Sequence, residues 1–321
     1  MPFTRYVLAC KTSKKFVNGL NGFERIFVGF QHRTNGYVAH NYSTEGGDLM
    51  LKLSFTTLGC PNWTLRQIAE NAASMGYDAV DFRGLQDALD ITTTAEFTTD
   101  LAATKRLFAD LGVAISGIAT SARYAAIDPV EREKQFDETR RNMELAARLD
   151  APVLRVYGGR VPEGHTVDSI LPVLVENLRA IGDEAEAFGV TLALETHDDW
   201  TDSTVFARLM REANHPRVRV LWDLHHPFRT NGEPPDVTYA NLAPYTVSIH
   251  VKDSVPMPDG RHRYVLLGEG DVPVKRMLDL LVAGGYDGYA ILEWEKRWIP
   301  TLQEPEIVFP QYVAKMREWL G

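Results

Sequence analysis

Glu195, Asp223, His250 and Glu293 each close a short apolar run. The segments read Thr191-Leu-Ala-Leu-Glu195-Thr-His197, Val220-Leu-Trp-Asp223-Leu-His225-His226, Ser248-Ile-His250-Val-Lys252-Asp253 and Ala290-Ile-Leu-Glu293-Trp-Glu295. A single Glu or His at a strand end is usually a salt-bridged structural residue. Four in succession point to one shared, oxygen-rich site with a single nitrogen donor. Without a cation, groups of this kind would repel one another and carry raised carboxylate pKa values. A divalent ion removes that conflict, and three carboxylates against it leave a local charge of about −1. Hard oxygen donors with one imidazole suit Mn2+ or Mg2+, with Co2+ or Zn2+ also able to bind. Residues i and i+2 of a strand share a face, which sets His197 beside Glu195, His225 beside Asp223, Lys252 beside His250 and Glu295 beside Glu293.

Elements of a definite kind are needed to bring these ends together. From residue 50 onward a strand-then-helix unit recurs about every 30–40 residues. The strands fall at 51–57, 79–83, 114–120, 152–158, 191–197, 218–224, 247–252 and 289–294. Amphipathic helices lie between them. Thr64 and Gln67 form a capping box, and Asp128-Pro129 supplies an N-cap followed by proline at the first helical position. Gly76, Gly112, Gly189 and Gly284-Gly285 mark helix ends. Eight such units in about 270 residues predict a (β/α)8 barrel, whose strand C-termini converge on one reactive face. A doubly wound sheet fits less well, because no Gly-x-Gly-x-x-Gly turn follows a strand.

Composition narrows the partners. The chain has 321 residues, 45% hydrophobic and 24% charged, as in ordinary globular proteins. Its formal charge of −9 disfavours a general nucleic-acid binder, which needs a basic face. No apolar run is long enough to span a membrane, and no secretory signal is evident. Cys10 and Cys60 have no redox or metal spacing, so a cytoplasmic location is expected.

The Glu-Thr-His, Trp-Asp-x-x-His, His-Val-Lys-Asp and Leu-Glu-Trp segments, in that order, resemble the sugar phosphate isomerase/epimerase superfamily of xylose isomerase-like (AP endonuclease family 2) TIM barrels. Leu267-Gly268-Glu269-Gly270-Asp271 matches a further segment, and the resemblance covers roughly residues 50–320. It implies Glu195, Asp223, His250 and Glu293 as metal ligands and His226 as a substrate-contacting group. It further implies that Glu195 and Glu293 flank the substrate and exchange protons with it. Members similar to tagatose 3-epimerase carry an arginine soon after the seventh-strand histidine. Here Lys252-Asp253 comes first, as in inosose-dehydratase-like members, and Arg261 and Arg263 follow later.

The expected reaction is isomerisation or epimerisation of a sugar or sugar-like carbonyl compound. One glutamate removes a proton beside the carbonyl, a metal-stabilised enediolate forms, and the other glutamate returns a proton. Lys252 either assists this chemistry or forms a salt bridge to Asp253 or Glu293. Arg83, Arg155, His165 and His197 could bind substrate hydroxyls, and Arg155 could equally be a buried pairing residue. Trp63, Trp294 and Trp298 could stack on a sugar or simply pack. No phosphate cradle stands out, so a free sugar or cyclitol fits as well as a sugar phosphate. The alternative is a metal-dependent dehydratase or lyase on a cyclitol or keto-sugar, in which a β-hydroxyl is expelled. An AP endonuclease fits poorly. It needs histidines at the ends of strands two and three, where this chain has Asp-Phe-Arg83-Gly and Ile-Ala-Thr-Ser.

Residues 1–49 are unlike the rest. Six basic and three acidic residues give this lead a charge of +3, leaving −12 on the remainder. It shows no sustained period, and a clean strand opens only after Met50. We expect the lead to be an extension upstream of a natural start at Met50. The rival is an arm that packs on a second subunit of a homo-oligomer. Deleting 1–49 is expected to leave folding and activity unchanged, and loss of either on purification and assay would favour the arm.

Overall fold

The computed structural model describes residues 51–321, so the lead at 1–49 lies outside the described residues. Eight parallel strands close into a barrel: β1 (Lys52–Thr56), β2 (Ala79–Phe82), β3 (Ala114–Arg123), β4 (Val153–Tyr157), β5 (Thr191–Glu195), β6 (Val218–Asp223), β7 (Thr246–Val251) and β10 (Tyr289–Leu292). The ring order is β1-β10-β7-β6-β5-β4-β3-β2. The (β/α)8 expectation therefore holds, and each barrel strand lies at the position its apolar run predicts.

Helices α1 (Leu65–Met75), α2 (Leu101–Asp110), α3 (Pro129–Leu149), α4 (Val167–Phe188) and α5 (Ser203–Ala213) follow the first five strands. The short α6 (His226–Asn231) and α7 (Pro235–Leu242) follow β6; α8 (Val274–Ala283) and α9 (Pro305–Leu320) complete the outer layer. The Thr64–Gln67 capping box is formed, and Asp128 caps α3 through the Glu131 N–H. Some helix ends depart from the glycine pattern. Asp150 after α3 and Asn214 after α5 take the left-handed conformation, at φ 58° and 42°. Asp and Asn tolerate this region better than other side-chain-bearing residues. No helix among the described residues is long and apolar enough to cross a membrane.

Helix α9 packs against the β1 side of the barrel. Phe309 contacts Phe55 and Trp63 edgewise or tilted, and the Tyr77 hydroxyl donates to Phe309 O (2.9 Å). Trp63 is 6% exposed and donates to Glu306, while the buried Trp294 donates to Gln303 O. Both indoles thus take the packing alternative. Trp298 is half exposed.

The segment between β7 and α8 departs from the simple strand–helix alternation. Strands β8 (Asp253–Pro256) and β9 (His262–Val265) form an antiparallel hairpin there, which the apolar pattern of the sequence does not predict. Its root is held by the buried Asp253 carboxylate, which accepts backbone N–H groups from Ser254 (2.8 Å), Gly268 (3.0 Å), Gly270 (2.9 Å) and Val272 (3.3 Å). Position 270 must be glycine, because a Cβ there would overlap the Asp253 carboxylate. Replacing Asp253 by Ala leaves these buried donors without their acceptor, each costing about 1–3 kcal/mol if unsatisfied. The D253A protein is expected to lose about 3 kcal/mol in urea unfolding.

Candidate metal centre

Alternation along four adjacent strands sets the site. Asp223 pairs in register with His250, Glu195 with Leu221, and Leu292 with Val251, so the next residues, Glu293 and Lys252, emerge side by side. Glu195, Asp223, His250 and Glu293 each offer one donor atom, all within 4.8 Å of one another. All four are buried, none more than 5% exposed. His250 Nδ1 lies 3.1 Å from Glu195 Oε1, 3.3 Å from Glu293 Oε1 and 4.0 Å from Asp223 Oδ2.

Lys252 is the second cation of the cluster. Its Nζ lies 2.9 Å from Asp223 Oδ2 and 3.1 Å from Glu295 Oε1, and it donates a short hydrogen bond to Glu293 Oε2. Of the two salt-bridge partners considered, Glu293 is therefore the one engaged; Asp253 is occupied by backbone amides. Arg155 is the third cation, its Nε 3.4 Å from Glu195 Oε2 and its guanidinium 3.9 Å from the Tyr157 ring centroid.

These charges bias the protonation states. Burial pushes the Asp223 carboxyl up to about 6 despite the Lys252 ammonium. Burial also favours the neutral form of Glu293, but Lys252 and His250 outweigh it and hold the carboxyl well below its ordinary range. For Glu195, burial again favours the neutral form, but the His250 and Arg155 charges prevail and lower the carboxyl. Burial would lower His250, yet Glu293 and Glu195 push it up to about 10.

The residues fit a divalent cation. Glu195 Oε2 is buried and accepts no hydrogen bond among the described residues, and neither does Asp223 Oδ2, which meets Lys252 only as an ion pair. Three carboxylates and one imidazole face one point, as a hard-ion site requires. Asp223 Oδ1 is committed elsewhere. It accepts the backbone N–H groups of His225 (2.8 Å) and His226 (3.0 Å), fixing the turn after β6.

Beside the cluster runs a chain of rings. Tyr157 lies 4.6 Å from His197, His197 4.8 Å from His226, and His226 5.7 Å from His225; His225 in turn lies 4.7 Å from His262. His226 Nδ1 faces Thr196 O at 2.8 Å, which makes it the protonated nitrogen and leaves Nε2 as an acceptor. Burial and the Lys252 charge hold this imidazole neutral. His197 sits beside Asp198, at 3.2 Å. Arg83 donates to Ser121 Oγ (2.7 Å) and is 7% exposed.

Not every candidate joins this group. His165 is exposed in the β4–α4 loop, and Arg261 pairs with Asp259 at the hairpin tip. Four residues outside the sequence expectation also reach the site: Asp81, Tyr157, Tyr264 and His262. Asp81 carries a usable signal, since it too lies near a strand's end. Burial pushes its carboxyl up to about 6, and its Oδ1 has no partner among the described residues. Tyr264 donates to Glu295 (2.9 Å) from the hairpin, which the strand pattern does not reveal.

Residues 69–319 match the model of the xylose isomerase-like TIM barrel family. Over 146 residues the chain is 27% identical to the uncharacterised protein YihM of Escherichia coli K12, a stretch covering 44% of this chain and 43% of that protein. The fold is similar to D-psicose 3-epimerase solved in the presence of D-fructose, with a TM-score of 0.69 and 15% identity over 84% of this chain and 100% of that one. It is also similar to the probable 3-DHS dehydratase AsbF of Bacillus anthracis, with a TM-score of 0.68 and 17% identity over 83% of this chain and 98% of that one.

A cation can use His250 only as the neutral imidazole. Metal binding below pH 10 must therefore expel the His250 proton, and below about pH 6 an Asp223 proton as well. Apparent Mn2+ affinity is expected to rise about tenfold per pH unit near neutrality. Calorimetric titrations at about pH 7.5 in buffers of different ionisation enthalpy should show about one proton released per ion; a count of zero would contradict the charge state assigned to His250.

Proposed function

The chain belongs to the xylose isomerase-like TIM barrel family, and from that premise we propose that it is a divalent-metal-dependent isomerase or epimerase of a sugar or sugar-like carbonyl compound. The observation that carries this reading is the convergence of Glu195, Asp223, His250 and Glu293 at the ends of four adjacent strands. These four residues would hold the ion, Mn2+ or Mg2+ by the hardness of the donors and Co2+ or Zn2+ as softer options. When bound, it would supply Lewis acidity to a substrate carbonyl and its neighbouring hydroxyl.

The two glutamates are not equivalent. Glu195 Oε2 accepts no hydrogen bond and meets Arg155 only as an ion pair, so it is the freer of the two to take the proton beside the carbonyl. Glu293 Oε2 is held by Lys252, and the pair suits proton return. Delivery to the opposite face of the same carbon gives an epimer; delivery to the former carbonyl carbon gives an isomer. His226 Nε2 would accept a hydrogen bond from a substrate hydroxyl, and His197 would extend that wall. Fold similarity to D-psicose 3-epimerase supports the epimerase form of the reading.

A second reading uses the same first step. If Lys252 protonates a β-hydroxyl as it leaves, the product is dehydrated, and the likeness to a probable dehydratase favours keeping this outcome in view.

The test is solvent-deuterium incorporation. The protein, with Mn2+ or Mg2+, is incubated in heavy water with ketoses, aldoses, inososes and acidic keto-sugars, and carbon-bound deuterium is followed by NMR. Metal-dependent labelling beside a carbonyl is expected, and the product separates epimerase, isomerase and dehydratase. Replacing Glu195 by Gln should cut turnover by about 10²–10⁴ while Mn2+ still binds; full activity would remove Glu195 from the base role.

A further inference from the structure

On the β2–β4 side of the mouth three guanidinium groups gather, with the Asp81 carboxyl among them. Arg83 directly follows β2, and its guanidinium is 7% exposed with the Ser121 hydroxyl as its side-chain partner. Arg155 is 1% exposed; its Nη1 donates to no partner among the described residues, and Glu195 is its ion-pair partner, with Glu293 and Asp81 also acting on its charge. Arg123 lies over the same Tyr157 ring, 5.8 Å from its centroid, and its guanidinium donates to Ser121 O. Among the described residues no carboxylate forms an ion pair with Arg83 or Arg123. Burial and the neighbouring Arg155 charge push the Arg83 guanidinium down to about 10, although Tyr157 and the Glu138 carboxylate oppose the shift.

A nearly buried guanidinium without a direct ion pair is costly to the folded state, and the fold keeps Arg83 so beside a second guanidinium, Arg155. From this we infer that Arg83, with Arg155, receives a carboxylate carried by the substrate, so that the enzyme acts on an acidic keto-sugar or related hydroxy-keto acid. This rests on the isomerase reading for the reacting end and adds the other end of the molecule. A planar carboxylate matches the guanidinium fork and would satisfy the Arg155 Nη1 left without an acceptor. Because Arg155 Nε is 3.4 Å from Glu195 Oε2, the carboxylate would lie only a few atoms from the carbon that loses its proton.

Three probes that differ at one terminus test this: D-fructose, D-fructose 6-phosphate and 5-keto-D-gluconate. Binding is measured calorimetrically on EDTA-treated protein and again with Mn2+. The keto-acid is expected to bind at least about tenfold tighter than fructose in both states. Arg83→Met should erase that difference and Arg83→Lys retain part of it, with Mn2+ affinity unchanged and circular dichroism confirming the fold of both. Equal binding of all three, no binding of any, a phosphate preference, or an undiminished preference in R83M would each overturn the inference. Arg83-dependent keto-acid binding without deuterium exchange would instead overturn the isomerase reading alone. Exchange confined to neutral sugars would do the reverse.

Discussion

Three carboxylates held out of water within reach of one another are the constraint on which this molecule turns. Their mutual repulsion is strong at low dielectric, so the fold must bring positive charge to the same place. It does so with groups rooted in its own strands: Arg155 from β4, His250 from β7 and Lys252 just beyond it. With His250 protonated, the buried charges of Glu195, Asp223 and Glu293 are balanced one for one. A cation bound by these three carboxylates and His250 would displace the His250 proton. The barrel makes this balance possible because parallel strands deliver all of these side chains to one end.

The same geometry divides the mouth. Glu195 and Asp223 end β5 and β6 and Glu293 follows β10, while Arg123 and Arg155 lie on β3 and β4 and Arg83 follows β2, the strand that carries Asp81. Beside them runs the chain of rings from Tyr157 through His197, His226 and His225 to His262. Asp223 links two of these features, one oxygen facing the cluster and the other fixing the turn that carries His225 and His226. A shift in that carboxylate would move the histidine wall with it.

Much of this was legible in the sequence for a physical reason. Strands buried on both sides read as continuous apolar runs, so a charged residue closing each run stands out. That signal located Glu195, Asp223, His250 and Glu293 and all eight barrel strands. Long-range choices were not legible. Nothing local told whether Lys252 would reach Asp253 or Glu293, because register and the hairpin decide it. The hairpin itself hid in a segment whose polar residues, Pro256 to His262, resemble a loop. Trp63 looked usable for stacking until α9, more than two hundred residues away in sequence, covered it. Asp150 and Asn214 ended helices without glycine because their short polar side chains tolerate positive φ.

The hairpin after β7 also separates two kinds of freedom. Its root is tied down by the Asp253 carboxylate, whereas its tip closes on itself through Met257 N–H to Arg261 O and Gly260 N–H to Met257 O. Hydrogen bonds within the tip are thus local to it, and those that hold the buried charges lie below. Such an arrangement makes the stretch from Met257 to Arg261 a graft point. Loops of other length or chemistry could be exchanged there to recast the rim, while the charges at the barrel floor stay where the strands put them.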